Sequence, residues 1–269
     1  VIGMWVVANG TPDMTIETFN EDGTAIFTGI VEGQTNLNSV INYKVVGDIM
    51  FYTIKRGNEQ VIYTPYRLIY SPDATSYGDI MTWQLNDEFS FTRLRVKQNI
   101  NLNGKTYDYS SAYVSNAKGN DEDFNITGNT FNMAKIEARD FDVMFRSVLF
   151  ALELNANTIQ QNFIVNGTDV EFDIPIAVKG NKVTLDLSAG NPAYRDVDMY
   201  MFQDKDDTQL HIYMSTSSFI NYFANLEIVT MLSEGKIAPT DTAAIEKVYA
   251  NMDERVESIN LSLVMKARK

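Results

Sequence analysis

Turn residues recur along the N-terminal third of this chain at intervals too short for helices, and that spacing dictates a meander of short antiparallel strands. Residues 2–8 run into Gly10–Thr11–Pro12, and residues 14–19 end at Asn20–Glu21–Asp22–Gly23. The Asp–Gly pair there supplies the positive φ of a tight hairpin. Residues 25–31 follow, then 40–46 and 49–55 around Gly47–Asp48, and 60–69, 80–85 and 89–96 complete eight predicted strands. Alternation is legible in several of them. Met81, Trp83 and Leu85 share one face; Phe89, Phe91, Arg93 and Arg95 share another, opposite Ser90, Thr92, Leu94 and Val96. An even number of up-and-down strands leaves no open edge only when the sheet closes on itself. Residues 1–97 are therefore expected to form a barrel.

Residues 98–122 read as a connector, in which Asn99, Asn101, Asn103 and Gly104 lead to a strand-like run over 107–113 and then a polar stretch. Residues 123–269 return to the same turn grammar as a second β-rich domain. The Gly47–Asp48 hairpin is echoed by Gly128–Asn129 within 124–132 and by Gly180–Asn181 within 176–184. Two readings stay open, a duplicated barrel or hairpins that converge on one turn chemistry.

Two segments break the β pattern. Met133, Ile136, Phe141, Met144, Phe145, Val148, Leu149 and Leu152 recur at helical spacing, although a strand over 141–154 also fits. A helix near 217–234 is clearer, with Phe219, Ile220, Phe223, Leu226 and Val229 on one face and Gly235 at its end. Pro239–Thr240–Asp241 opens another near 240–257, and a strand over 259–265 closes the chain. The expected fold is mostly β: an N-terminal antiparallel barrel, then a β-rich part that is itself a candidate second barrel. Its helix pair sits before the last strand, like a lid or flank.

Composition narrows the chemistry. Of 269 residues, 45% are hydrophobic, enough to bury a substantial core without metal or disulfide staples. Thirty-five acidic residues against 22 basic ones leave a net charge of −13, which opposes phosphate backbones and anionic membrane surfaces. No cysteine is present, so disulfides, thiolate catalysis, Cys-ligated zinc and iron–sulfur clusters have no ligands here. A single histidine excludes multi-imidazole sites. No cofactor or metal is expected, and no apolar run approaches the ~20 residues of a membrane helix.

Gly3-Met4-Trp5 on the first strand, followed by Phe19-Asn20-Glu21-Asp22-Gly23-Thr24 at the next turn, resembles the lipocalin family, a calycin-type fold. It is most similar to the lipocalin-like lipoproteins exported by Gram-negative bacteria, over residues 1–97. The resemblance implies that Trp5 stoppers one end of the barrel and that Arg93 or Arg95, on the last strand, packs across its ring. A guanidinium over an indole is worth roughly 0.5–2 kcal/mol. The resemblance also implies a periplasmic or cell-surface protein whose signal and lipid-anchoring Cys lie upstream of Val1.

Candidate chemistry is sparse. His211, on an alternating strand with Leu210, Ile212 and Met214, reads as structural. Asp204, Asp206 and Asp207 lack calcium-loop spacing and read as a solvated hairpin tip. No carboxylate pair is singled out for glycoside hydrolysis. The twelve methionines are more suggestive, because Met serves both as core filler and as pliable binding surface. Met50, Met81, Trp83, Met199 and Met201 are the candidate cavity residues. The expected function is non-catalytic binding, in the cell envelope, of a small apolar molecule or of a glycan or peptide. The alternative is an accessory subunit of an outer-membrane complex with no small ligand. Nucleic acid is not an expected partner.

Overall fold

The computed structural model describes residues 2–7, 14–31, 34–56, 59–62, 65–71, 79–102, 104–126, 128–165 and 168–269. The expected Gly10–Thr11–Pro12 break and Asn103 lie outside them. The chain divides into two compact units, one of Val1–Gln98 with Phe202–Gln209, the other of Asn99–Met201 with Leu210–Lys269.

The first unit is built from β1 (Gly3–Val7), β2 (Met14–Phe19), β3 (Thr24–Val31), β4 (Gln34–Val46), β5 (Ile49–Arg56), β6 (Glu59–Ile62), β7 (Tyr66–Ser71), β8 (Ile80–Gln84) and β9 (Ser90–Val96). All pairings are antiparallel. β1 bonds to both β2 and β9, and β4 bonds to both β3 and β5, so eight strands close into a barrel. β6 folds back on residues 53–56 of β5. The first hairpin is set by Asp22, whose Oδ1 accepts from the Thr24 amide at 2.9 Å and its hydroxyl at 2.6 Å, with Gly23 at φ +80°. The inward rows bury Trp5, Phe19, Ala25, Ile41, Met50, Leu68, Met81 and Trp83 as one cluster.

The second unit is larger. β10 (Lys105–Gly119) is followed by a separate hairpin, β11 (Asp123–Ile126) and β12 (Asn129–Asn132), and by α1 (Ala138–Ser147). Then come β13 (Ala151–Leu154), β14 (Thr158–Val165), β15 (Thr168–Lys179), β16 (Lys182–Leu185), β17 (Val197–Gln203) and β18 (Gln209–Met214). α2 (Thr216–Ser233), α3 (Thr242–Arg255) and β19 (Val256–Ala267) end the chain. β10 and β13–β19 form a second closed eight-stranded barrel, sealed where β10 pairs with β19. α2 buries residues on every side, including Phe219, Ile220, Tyr222, Phe223 and Ile228, as a helix apolar all round must. Its rings meet those of α1: Phe141 lies 5.9 Å from Phe219 and 5.7 Å from Phe223.

Three expectations change. Residues 105–119 of the expected connector are β10, the seam strand of the second barrel; its polar outward positions disguised it. The 124–132 echo is the isolated β11–β12 hairpin and not a barrel strand pair, so turn chemistry alone accounts for that copy. The ambiguous 133–154 segment contains both structures. A capping box between Glu137 and Asp140 starts α1, and Leu149 at φ +43° breaks the chain direction before β13.

Gly119 shows how tightly the seam is drawn. A Cβ there would sit 2.0 Å from the Arg255 carbonyl and 2.6 Å from Met133 Cβ. Gly119→Ala should lower the stability of the second unit by at least about 2 kcal/mol, read as a drop in its urea midpoint.

Candidate ligand site in the first barrel

Alternation along β2 points Phe19 inward, and two residues earlier it must point Glu17 inward as well. Register then decides what the carboxylate meets: Glu17 lies opposite Trp5 on β1 and Phe27 on β3, and Arg93 on β9 lies opposite Met81 on β8. The Glu17–Arg93 contact spans β1. Arg93 Nη2 donates to Glu17 Oε1 at 2.9 Å, Nε donates to Oε2, and Nη1 donates to the Phe91 carbonyl at 3.2 Å. Both side chains are buried. Burial pushes the Glu17 carboxyl above the usual range, against the downward pull of the Arg93 guanidinium.

Arg93 also lies over Trp83, its Cζ 3.5 Å from the ring centroid. Around that pair is a cavity of about 340 Å³, walled by Phe27, Ile41, Tyr52, Tyr66, Trp83 and Phe91, with Ser39 at its edge. Tyr52 and Tyr66 stack at 5.7 Å and 10°. Trp83 closes against both, at 6.3 Å and 5.6 Å. Its indole Nε1 is buried and has no hydrogen-bond acceptor among the described residues. Such an orphaned donor is expensive in a packed interior.

A different network surrounds Trp5, which is 1% exposed. Arg95 lies opposite Trp5 in register, with its Cζ 5.9 Å from the ring centroid. It donates to the Ile2 carbonyl at 3.1 Å and to Asp79 Oδ2 at 3.2 Å. The buried Asp79 also accepts from the Tyr70 hydroxyl and from Lys205 Nζ. Gly3 sits at φ +127°, where a Cβ would lie 3.2 Å from Arg95 Nε. The two arginines therefore divide the work: Arg95 accompanies Trp5 and Gly3, and Arg93 faces Trp83.

Of the five expected cavity residues, Trp83 lines this cavity. Met50 and Met81 are packed in the same core cluster, and Met199 and Met201 belong to the core of the second unit. Met50 and Met81 thus lie with Trp83 in the first unit and Met199 and Met201 in the second, and none of the four methionines lines this cavity. His211 is half-buried, and Tyr213 beside it is bonded to Asn260. Asp204 is not a solvated tip residue. It is buried and accepts from the Thr208 and Gln209 amides and the Thr208 hydroxyl, so it shapes its turn. Among the described residues no group of three or more His, Asp or Glu could hold a metal ion. Glu17, Tyr52 and Tyr66 were not singled out from sequence. A charged residue at an inward position of β2 was the available signal.

Removing one member of a buried, bonded ion pair leaves the other charge stranded, at roughly 3–5 kcal/mol. Glu17→Ala or Arg93→Ala alone should therefore destabilise the first unit by that order. Glu17→Leu combined with Arg93→Met should cost much less than the sum, as measured by a double-mutant cycle in urea. Comparison with protein families, with characterised proteins and with solved structures finds no match to this chain.

Proposed function

We propose that the protein is a non-catalytic binding protein of the cell envelope that takes a small, largely apolar molecule into the mouth of its first barrel. The observation that carries this reading is the aromatic cavity walled by Phe27, Tyr52, Tyr66, Trp83 and Phe91 in the first barrel. Its volume lies at the small end of the range for ligand sites, and apolar walls with few polar groups are the usual composition of such sites. Arg93, the charged residue in the cavity's lining, is bonded to Glu17, which favours holding a guest over reacting with it.

Kinship with the exported lipocalin-like lipoproteins belongs to the same proposal. It rests on Gly3, Trp5 and Arg95 meeting in a closed eight-stranded barrel, and it brings the envelope location with it. The accessory-subunit reading becomes the better one if the cavity takes no guest.

Native mass spectrometry of freshly purified protein should reveal co-purified mass that is lost on denaturation. The two tryptophans, Trp5 and Trp83, provide a second readout. In a Trp5→Phe background, titration with fatty acids, sterol-like acids and oligosaccharides should shift Trp83 emission saturably for one class. Tyr52→Ala or Tyr66→Ala should weaken that binding about tenfold, a loss of about 1.4 kcal/mol. No saturable shift with any class would overturn the binding reading.

A further inference from the structure

The second unit holds an open groove that owes nothing to the first barrel. Its volume is about 530 Å³, and it runs between β15, the segment after β16, and α2. Phe172, Ile174 and Pro175 form one wall, Leu185 and Leu187 the next, and Leu226 and Val229 of α2 the third. The polar groups at its floor are satisfied within the protein. Tyr222 donates to Gln161 Oε1 at 3.3 Å, and Asn225 Nδ2 donates to the Arg195 carbonyl at 3.0 Å while its Oδ1 accepts from Tyr249. A guest therefore meets an apolar trough whose base asks for no polar head group.

The edge is different. Glu171, Asp173 and Asp186 line the groove, and its lining contains no Lys or Arg. Asp186 accepts from the Ala189 amide and so has a part in its own turn. Glu171 and Asp173 are exposed and make no ion pair among the described residues. Strand alternation places Phe172 and Ile174 on the inward face of β15 and Glu171 and Asp173 on its outer face, so the carboxylates border the groove at the edge where residues 171–175 pair with β14 alone. An apolar trough edged by one sign of charge selects by complementarity. It repels an anionic head and attracts a cationic one, within a chain whose net charge is −13.

We infer that this groove is a second binding site, for a small amphipathic cation whose alkyl body lies along α2 and whose ammonium rests between Glu171 and Asp173. The test uses the whole chain and three probes of equal chain length, decyltrimethylammonium below its micelle concentration, decyl sulfate and decanol, followed by calorimetry. The ammonium should bind at least about tenfold tighter than the sulfate. The exposed-site variant Glu171→Lys/Asp173→Lys should weaken the ammonium about tenfold and leave decanol within about twofold. Circular dichroism checks that the variant is folded. Both tryptophans lie in the first unit, so binding here should leave their emission unchanged. Equal affinity for sulfate and ammonium, or indifference to the charge reversal, would overturn the inference. So would binding only of a Lys-rich amphipathic peptide, which makes the occupant a protein segment.

Discussion

Backbone pairing around a closed ring is the constraint on which the rest of this structure depends. The strands are mostly short, and an open meander of such strands would end in two rows of unpaired amide and carbonyl groups. In the first unit β1 reaches β9, and in the second β10 reaches β19, so each sheet closes into a ring. Closure also gives every strand an inside. Once that inside exists, period-two alternation converts sequence position into burial, and Trp5, Glu17 and Arg93 have no choice but to share it.

The two barrels then fill their interiors by different means. The second recruits α1 and α2, whose aromatic side chains join the strand residues in one large core. The first has only its own side chains. Large rings stacked edge-to-face, such as Phe19 on Tyr43 at 5.0 Å and on Trp83 at 5.8 Å, pack part of the cylinder. The Glu17–Arg93 pair occupies a stretch that an apolar pair would fill at lower desolvation cost. Rigid flat walls that cannot collapse onto one another leave space between Tyr52, Tyr66 and Trp83. The groove beside α2 arises differently, because residues 171–175 of β15 pair with β14 alone and apolar residues of α2 line the space beside them.

Much of the architecture was legible from residue types. The Asp22–Gly23 and Gly47–Asp48 turns lie at hairpins, and the helices near 217–234 and 240–257 are α2 and α3, the latter capped by Asp241 on the Ala244 amide. Where the reading failed, competing chemistry was the cause. The run over 107–113 read as a strand, but beyond it the exposed Asn116 and Lys118 resembled a polar loop and hid the rest of β10. The methionines marked burial correctly, but as packed core and not as lining of the cavity. Glu17 was passed over because a lone carboxylate on a strand ordinarily faces water.

Period and turn chemistry, which act between residues a few positions apart, were enough for the sequence by itself to determine a mostly β fold, most hairpins of the first unit and the two helices near 217–234 and 240–257. They also carried the exclusion of cysteine-based and multi-histidine chemistry. Partners far apart in the chain belonged to the tertiary structure alone. Glu17 meets Arg93 across 76 positions, and Tyr222 meets Gln161 across 61. Such contacts depend on ring closure and on register, in which a shift of one residue turns every side chain to the opposite face. No local rule encodes that choice, and both cavities are made by it.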